Sequence, residues 1–303
     1  MSGAAAAPPP RLSAYGLGVL LLLLAGVALS SGGYLIRSIE AADGWQILFY
    51  RGIAFTVTCF AFTAVRHRGH LRKAYFDIGL PGLIGSLALG LGFCAYLFAI
   101  LMTTVANVVF ILSAGPFAAA LLGRLILGER VAAVTWAAMV LALAGIGLMM
   151  IDGLESGGWL GNLIALLAPL SFAIMVVAVR KRADRDMTPI LPIAGLIASL
   201  VALPMVESFA LTPHDLLLSC LLGAGQIGLG FILITLGARW VPAAQVPLLT
   251  LTETVLAPLW VWLAFAETPA SLALLGGLVV LAAVLVEAIA GIRRERRARR
   301  SRD

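Results

Sequence analysis

The feature that most limits this chain is a succession of apolar blocks of about twenty residues, separated by short stretches that carry most of its charge. A helix rising 1.5 Å per residue needs about twenty apolar residues to cross a hydrocarbon core about 30 Å thick. Ten spans are predicted, at 14–36, 44–65, 78–101, 104–123, 131–150, 158–179, 188–206, 216–238, 242–265 and 271–291. Charged residues are only 12% of the sequence, where a soluble domain has about a quarter. The expected fold class is therefore an all-α polytopic membrane protein. Soluble enzymes and nucleic-acid readers are excluded by the solvent, in spite of a net charge of +6.

The sign of the charge alternates from loop to loop. With the N-terminus in the cytoplasm and ten crossings, the inner loops hold Arg11; Arg66, Arg68, Arg72 and Lys73; Arg124 and Arg130; Arg180, Lys181, Arg182 and Arg185; Arg239; and the arginine tail from Arg293 to Arg302. The outer loops hold Glu40, Asp43, Asp152, Glu155, Glu207, Asp215 and Glu267. Only Arg37 and Arg51 depart from the positive-inside pattern. Both termini are thus expected in the cytoplasm of a cell with the protein in its inner (plasma) membrane. The basic tail is read as a topology anchor that can touch anionic lipid, not as a nucleic-acid site. Residues 1–13 read as a disordered, Pro-rich tail. Span 1 resembles a signal peptide, but its removal would break the alternation of loop charge.

One helical hairpin occurs twice. Residues 106–148 and 244–286 align with a displacement of 138 residues (106 to 244), which sets Asn107 on Gln245, Pro116 on Thr254 and Glu129 on Glu267. The expected domains are a first repeat at 14–150, a second at 158–291 and a basic tail at 292–303. Five crossings per repeat is an odd number, so the second copy enters the membrane upside down. Two inverted five-helix repeats are the architecture of alternating-access carriers, whose sites lie near the midplane between the halves.

The residues Ala106…Pro116…Leu127-Gly128-Glu129, the stretch Ala244…Leu251-Thr252-Glu253-Thr254…Pro258-Leu259-Trp260…Glu267-Thr268-Pro269, and Phe49-Tyr50-Arg51 in span 2 resemble the EamA branch of the drug/metabolite transporter superfamily. The resemblance runs from about 14 to 291. It implies ten helices around a central cavity and transport of small metabolites, often export of amino acids or related compounds. The small four-helix relatives use a membrane-embedded Glu in their first helix. Span 1 here has no carboxylate, so that coupling device does not carry over.

A charge at the centre of a spanning helix costs roughly 2.5–3.5 kcal/mol on insertion scales, so it usually has a partner or a task. Glu253 is the most deeply placed carboxylate, and three roles are open to it: a structural pair, contact with a substrate amine, or proton coupling. Arg51 lies at a similar depth and is a candidate partner, or it snorkels out towards Glu40 or Asp43. Gln226, Asn107 and Gln245 are candidate cavity amides, the last two with helix-end bonding as the alternative. Tyr96 and Trp45 are candidate stacking residues, with packing as the alternative. Gly115 and Pro116 are candidate hinge residues, and Pro169, Pro192, Pro247 and Pro258 also fall within spans. Glu129 and Glu267 are expected to cap the helices after their turns. Glu287 is expected to pair with the arginine tail at the interface.

No catalytic constellation, cofactor motif or metal-ligand spacing is present, and Cys59, Cys94 and Cys220 lie apart in apolar blocks. The expected function is secondary-active transport of a small-molecule substrate by alternating access, and the resemblance implies export of an amino acid or related metabolite, with a proton as the candidate coupling ion. The alternatives are uptake of a nucleotide-like or cofactor metabolite, and a channel or non-transporting membrane protein. The sequence leaves the oligomeric state open.

Overall fold

In a computed structural model, which describes residues 13–103, 105–150, 158–265 and 271–300, the chain is all helical. Helix makes up 83%, and no strand occurs among the described residues. The N-terminal tail, Asp152, Glu155, the turn at Glu267 and the last three residues lie outside that range.

The helices run in the order α1 (Ala14–Ser30), α2 (Gly32–Arg37), α3 (Gly44–Arg66), α4 (Leu71–Asp77), α5 (Gly79–Met102), α6 (Val105–Leu112), α7 (Gly115–Leu127), α8 (Ala133–Met150), α9 (Trp159–Ala165) and α10 (Leu167–Lys181). They continue with α11 (Ile190–Ala202), α12 (Pro213–Leu221), α13 (Leu229–Ala238), α14 (Gln245–Thr250), α15 (Thr252–Phe265) and α16 (Ser271–Arg300). A π-helical segment at Leu222–Gly228 joins α12 to α13. Taken through their breaks, these elements give eight apolar helices long enough to span a membrane and two shorter ones, Ala133–Met149 and Ile190–Met205. Large apolar side chains point outward along them, with Leu80 69%, Leu125 70% and Leu278 64% exposed. In water such a surface would aggregate, and in lipid it is the solvated face.

Packing runs mainly between the first and second halves of the chain. Helix α1 lies on α13 and α15, α3 on α11, α5 on α10 and α11, α7 on α10, and α8 on α16. Small residues bring these backbones together, as is usual where lipid supplies no hydrophobic drive between helices. A Cβ built on Gly237 would lie 2.9 Å from Gly18 O, one on Gly145 2.8 Å from Gly276 O, and one on Gly195 3.1 Å from Gly52 O. A single buried apolar cluster, including Leu22, Phe55, Met175, Ile234 and Val280, extends through both halves.

The two ends of the bundle differ in charge. At the acidic end the Asp215 carboxylate accepts from the backbone N–H groups of Glu40 (3.0 Å), Ala41 (2.9 Å) and Ala42 (3.0 Å). Asp43 caps α3 in a capping box with Gln46, whose Nε2 donates to Ser208 O at 2.7 Å. At the basic end, Gly128 ends α7 in the left-handed region (φ 68°), the usual place for glycine. The Glu129 carboxylate does not cap the helix that follows, in contrast to the sequence expectation. It accepts from Arg180 Nε at 2.5 Å and from the Ala243 N–H at 2.8 Å, joining two halves of the chain. The following helix begins only at Ala133, four residues on, which leaves that carboxylate to a distant cation.

Candidate functional site

Two helices are interrupted at matching places. Helix α6 stops at Leu112 and α7 starts at Gly115, while α14 stops at Thr250 and α15 starts at Thr252. Under the 138-residue displacement Ser113 falls on Leu251. Hydroxyls satisfy carbonyls at both breaks: Ser113 Oγ donates to Phe110 O (2.5 Å), Thr250 Oγ1 to Pro247 O (3.0 Å) and Thr252 Oγ1 to Leu249 O (2.8 Å). The breaks also approach other helices. A Cβ on Gly115 would be 3.6 Å from Pro247 Cβ and 3.8 Å from Pro169 Cβ, and one on Gly26 of α1 would be 3.3 Å from Glu253 N.

The prolines explain part of this. Pro116, Pro169, Pro192 and Pro247 each stand in the first turn of a helix, where the missing N–H has no intrahelical partner to lose. Only Pro258 is interior to its helix. The sequence suggests kinks inside spans. The structure instead restarts the helix at four of the five.

Of the two charged candidates, Glu253 sits at the second break and Arg51 lies on α3. Glu253 is the second residue of α15, where the helix dipole favours an anion. It is half-buried and makes no hydrogen bond or ion pair among the described residues. Arg51 of α3 is 9% exposed, its Cζ 5.9 Å from the centroid of the Phe93 ring and its Nε without a partner. Arg51 therefore stays inside rather than reaching the acidic end, and it forms no ion pair with Glu253 among the described residues. Tyr96 of α5 lies within electrostatic reach of both. Phe93 continues into an edge-to-face set, with Phe55 at 5.5 Å and Phe231 at 5.2 Å, and Phe172 lies 5.9 Å from Phe231.

Gln226 falls in the π-helical segment, a rare geometry that often marks functional positions. Its Nε2 donates to Leu29 O (3.0 Å), which also accepts the Ser31 N–H at the end of α1, and its Oε1 is buried without a partner. Trp45 packs edge-on against Phe98 at 4.9 Å in a separate apolar cluster near the acidic end. Asn107 Nδ2 donates to Thr103 Oγ1 (3.0 Å), which donates to Asn162 Oδ1 (2.8 Å).

Gln245 has different partners. Its Nε2 donates to Glu287 Oε1 at 2.5 Å, and its Oε1 accepts from Tyr15 at 2.8 Å. Glu287 is fully buried rather than interfacial, and also takes hydrogen bonds from Thr135 Oγ1 (2.9 Å) and Arg294 Nη2 (2.6 Å). Sequence reasoning anticipates a partner from the arginine tail, here Arg294, but misses Tyr15 and Thr135. No periodicity marks them, because the group forms only when α1, α8, α14 and α16 converge at the basic end. In the loop between α10 and α11, Asp186 accepts from Arg66 and from the Thr188 N–H at 3.0 Å. Burial pushes its carboxyl up, but these donors outweigh that and hold it below its ordinary value.

A bundle of apolar helices with broken spans and charges held at its interior is a multi-pass membrane transporter. The chain belongs to the EamA-like transporter family, whose model matches residues 16–151 and again residues 159–287. It is 26% identical over 274 residues to the pseudopaline exporter CntI of Pseudomonas aeruginosa (strain UCBPP-PA14), covering 88% of this chain and 94% of the relative. It is 27% identical over 273 residues to an uncharacterized transporter of Archaeoglobus fulgidus, covering 89% and 95%. A crystal structure of a protein with 17% identity has the same fold, with a TM-score of 0.77 over 90% of this chain and 98% of its own.

Proposed function

We propose that the chain is a ten-helix carrier of two inverted five-helix repeats, 14–150 and 158–291, which exports an amino acid or related small metabolite across the inner membrane by alternating access. Both termini are cytoplasmic, so the basic end faces inward. The repeat reading is supported by the packing pairs, which map onto one another when the halves are exchanged. The α1–α13 pair exchanges with the pair α5–α10, and α1–α15 with α7–α10, while α3–α11 and α8–α16 map onto themselves. Because these pairs join the halves, the moving bodies are drawn from both repeats.

The observation that carries the reading is the coincidence of the two helix breaks with an unpaired carboxylate at one of them. Corresponding interruptions in the two halves of a carrier point to its substrate site. Glu253 takes the amine of the substrate or the coupling proton, Arg51 takes a carboxylate, and Tyr96, Gln226 and the Phe93 ring complete the wall. Asn107 and Gln245 each hold a helix end six residues before a break, Gln245 at the basic end, Trp45 lies towards the outer mouth of the site, and Gly115-Pro116 is the hinge. The name of the Pseudomonas relative supports export as the direction.

Counterflow in proteoliposomes loaded with amino acids, nucleobases and cationic drugs tests this. A labelled amino acid is expected to enter loaded vesicles saturably and faster than empty ones. Flux without saturation would indicate a channel, and exchange of nucleobases alone would overturn the substrate class.

A further inference from the structure

Two cavities adjoin at the basic end, away from the central group. The inner one, about 180 Å³, is bordered by Glu129, Arg130, Thr135, Gln245 and Arg294. The outer one, about 120 Å³, is bordered by Phe117, Leu121, Arg124 and Trp136, with the Phe117 and Trp136 rings 5.9 Å apart. Ala120 and Val131 line both, so the two form one fissure between α7 and α8. Its outer part opens on the face that meets lipid, where Leu121 is 59% and Trp136 45% exposed.

The charges around the fissure do not cancel. Glu129 is taken by Arg180 and the Ala243 N–H. Glu287, behind the inner cavity, accepts at Oε1 from Arg294 Nη2, Gln245 and Thr135, while its Oε2 is buried without a partner. Arg294 Nη1 remains buried without an acceptor. Arg130 at the inner cavity and Arg124 at the outer one are exposed and have no acidic partner among the described residues. An arginine donor left buried and unmatched is costly unless an anion reaches it.

We propose that this fissure is a binding site for one anionic phospholipid, whose phosphate lies among Arg130, Arg294 and Arg124 and whose acyl chain lies along Phe117, Leu121 and Trp136. A soluble phosphate would use the inner cavity alone and leave the aromatic groove empty. The groove, bordered by Arg124, is continuous with lipid-facing surface and with the inner cavity bordered by Arg130 and Arg294, which fits an amphiphile with an anionic head. Basic pockets between spanning helices near the cytoplasmic surface take lipid headgroups in this way. The phosphate would meet the free side of Arg294 and so hold together the helices that the Glu287 group joins. The site does not depend on the identity of the transported substrate.

The test uses the full chain purified in detergent and its tryptophan fluorescence, six residues in all. Brominated phosphatidylglycerol is expected to quench saturably at a concentration at least five-fold lower than brominated phosphatidylcholine. The saturable component should vanish in Trp136→Phe. In Arg124→Gln/Arg130→Gln, whose changes are at exposed positions, phosphatidylglycerol should fall to the level of phosphatidylcholine. Thermal unfolding gives a second readout: phosphatidylglycerol should raise the Tm of the parent protein but not of the double variant. Equal quenching by both lipids, a preference that survives the double variant, or saturable quenching that survives Trp136→Phe would overturn the proposal. A Tm rise reproduced by inorganic phosphate alone would overturn the lipid as occupant.

Discussion

Asn107 and Gln245 occupy the same position in two copies of one hairpin, and the fold gives them different company. Asn107 donates to Thr103, which donates to Asn162, between α5, α6 and α9. Gln245 joins a charged group with Tyr15, Glu287, Thr135 and Arg294, between α1, α8, α14 and α16. The backbone device is the same in both, a helix broken six residues further on. The repeat thus fixes where helices break, while side-chain chemistry distinguishes the two halves.

The largest difference should appear in stability. Glu287→Ala removes the acceptor shared by three donors and leaves Arg294 unpaired, which should cost about 3 kcal/mol. Asn107→Ala in the matching hairpin removes a neutral hydrogen bond and should cost about 1 kcal/mol. Thermal unfolding of both variants in one detergent compares them directly, and equal losses would show that the charged group has no special weight.

Next is transport. The two breaks differ in kind: the first offers Ser113, Ala114 and Gly115, all neutral, and the second offers the carboxylate of Glu253. Glu253→Gln keeps the shape and removes the charge. Loss of a charged contact of this kind lowers affinity or uphill transport about tenfold or more. Ser113→Ala at the first break should change transport less than Glu253→Gln does. Counterflow and its pH dependence measure both. If Glu253→Gln keeps full pH-dependent uphill transport, coupling does not pass through that residue.

How much of this is legible in the sequence follows from what each feature depends on. Spanning helices can be read because blocks such as 79–101 admit no other structure in lipid. The place of the breaks is half legible: Gly115-Pro116 marks the first, whereas nothing in Thr250-Leu251-Thr252 marks the second except its alignment with Ser113. The π-helical turn at Gln226 cannot be read, since Gly223, Gly225 and Gly228 announce close packing but not an extra residue in the turn. The partners of Glu129 and Gln245 are illegible for a simpler reason. Arg180 lies 51 residues from Glu129, and Tyr15 lies 230 residues from Gln245, so only the assembled bundle brings them together.

A smaller effect is expected at the turn between α7 and α8. Glu129→Gln retains an acceptor for the Ala243 N–H but loses the charge facing Arg180, whose side chain is 20% exposed. The loss should be about 1 kcal/mol or less, below that of Glu287→Ala because neither partner is fully buried. The unfolding midpoint of this variant, set beside the two above, ranks the ties of the basic end by burial.

The smallest effect separates the loops from the interior by pH. Asp186 is held below its ordinary carboxylate value by the Thr188 N–H and Arg66 against the opposing effect of burial. Its contribution is therefore present above the unfolded-state pKa of about 3.9, and is lost as pH falls through the lower folded value. Arg66 is 41% exposed, so solvent screens the pair and the contribution stays well under about 1 kcal/mol. Unfolding between pH 6 and pH 3 should show a small added loss in the parent protein that Asp186→Asn lacks. A variant that loses stability on acidification as steeply as the parent would place the acid sensitivity elsewhere, in the buried carboxylates of the bundle rather than in its loops.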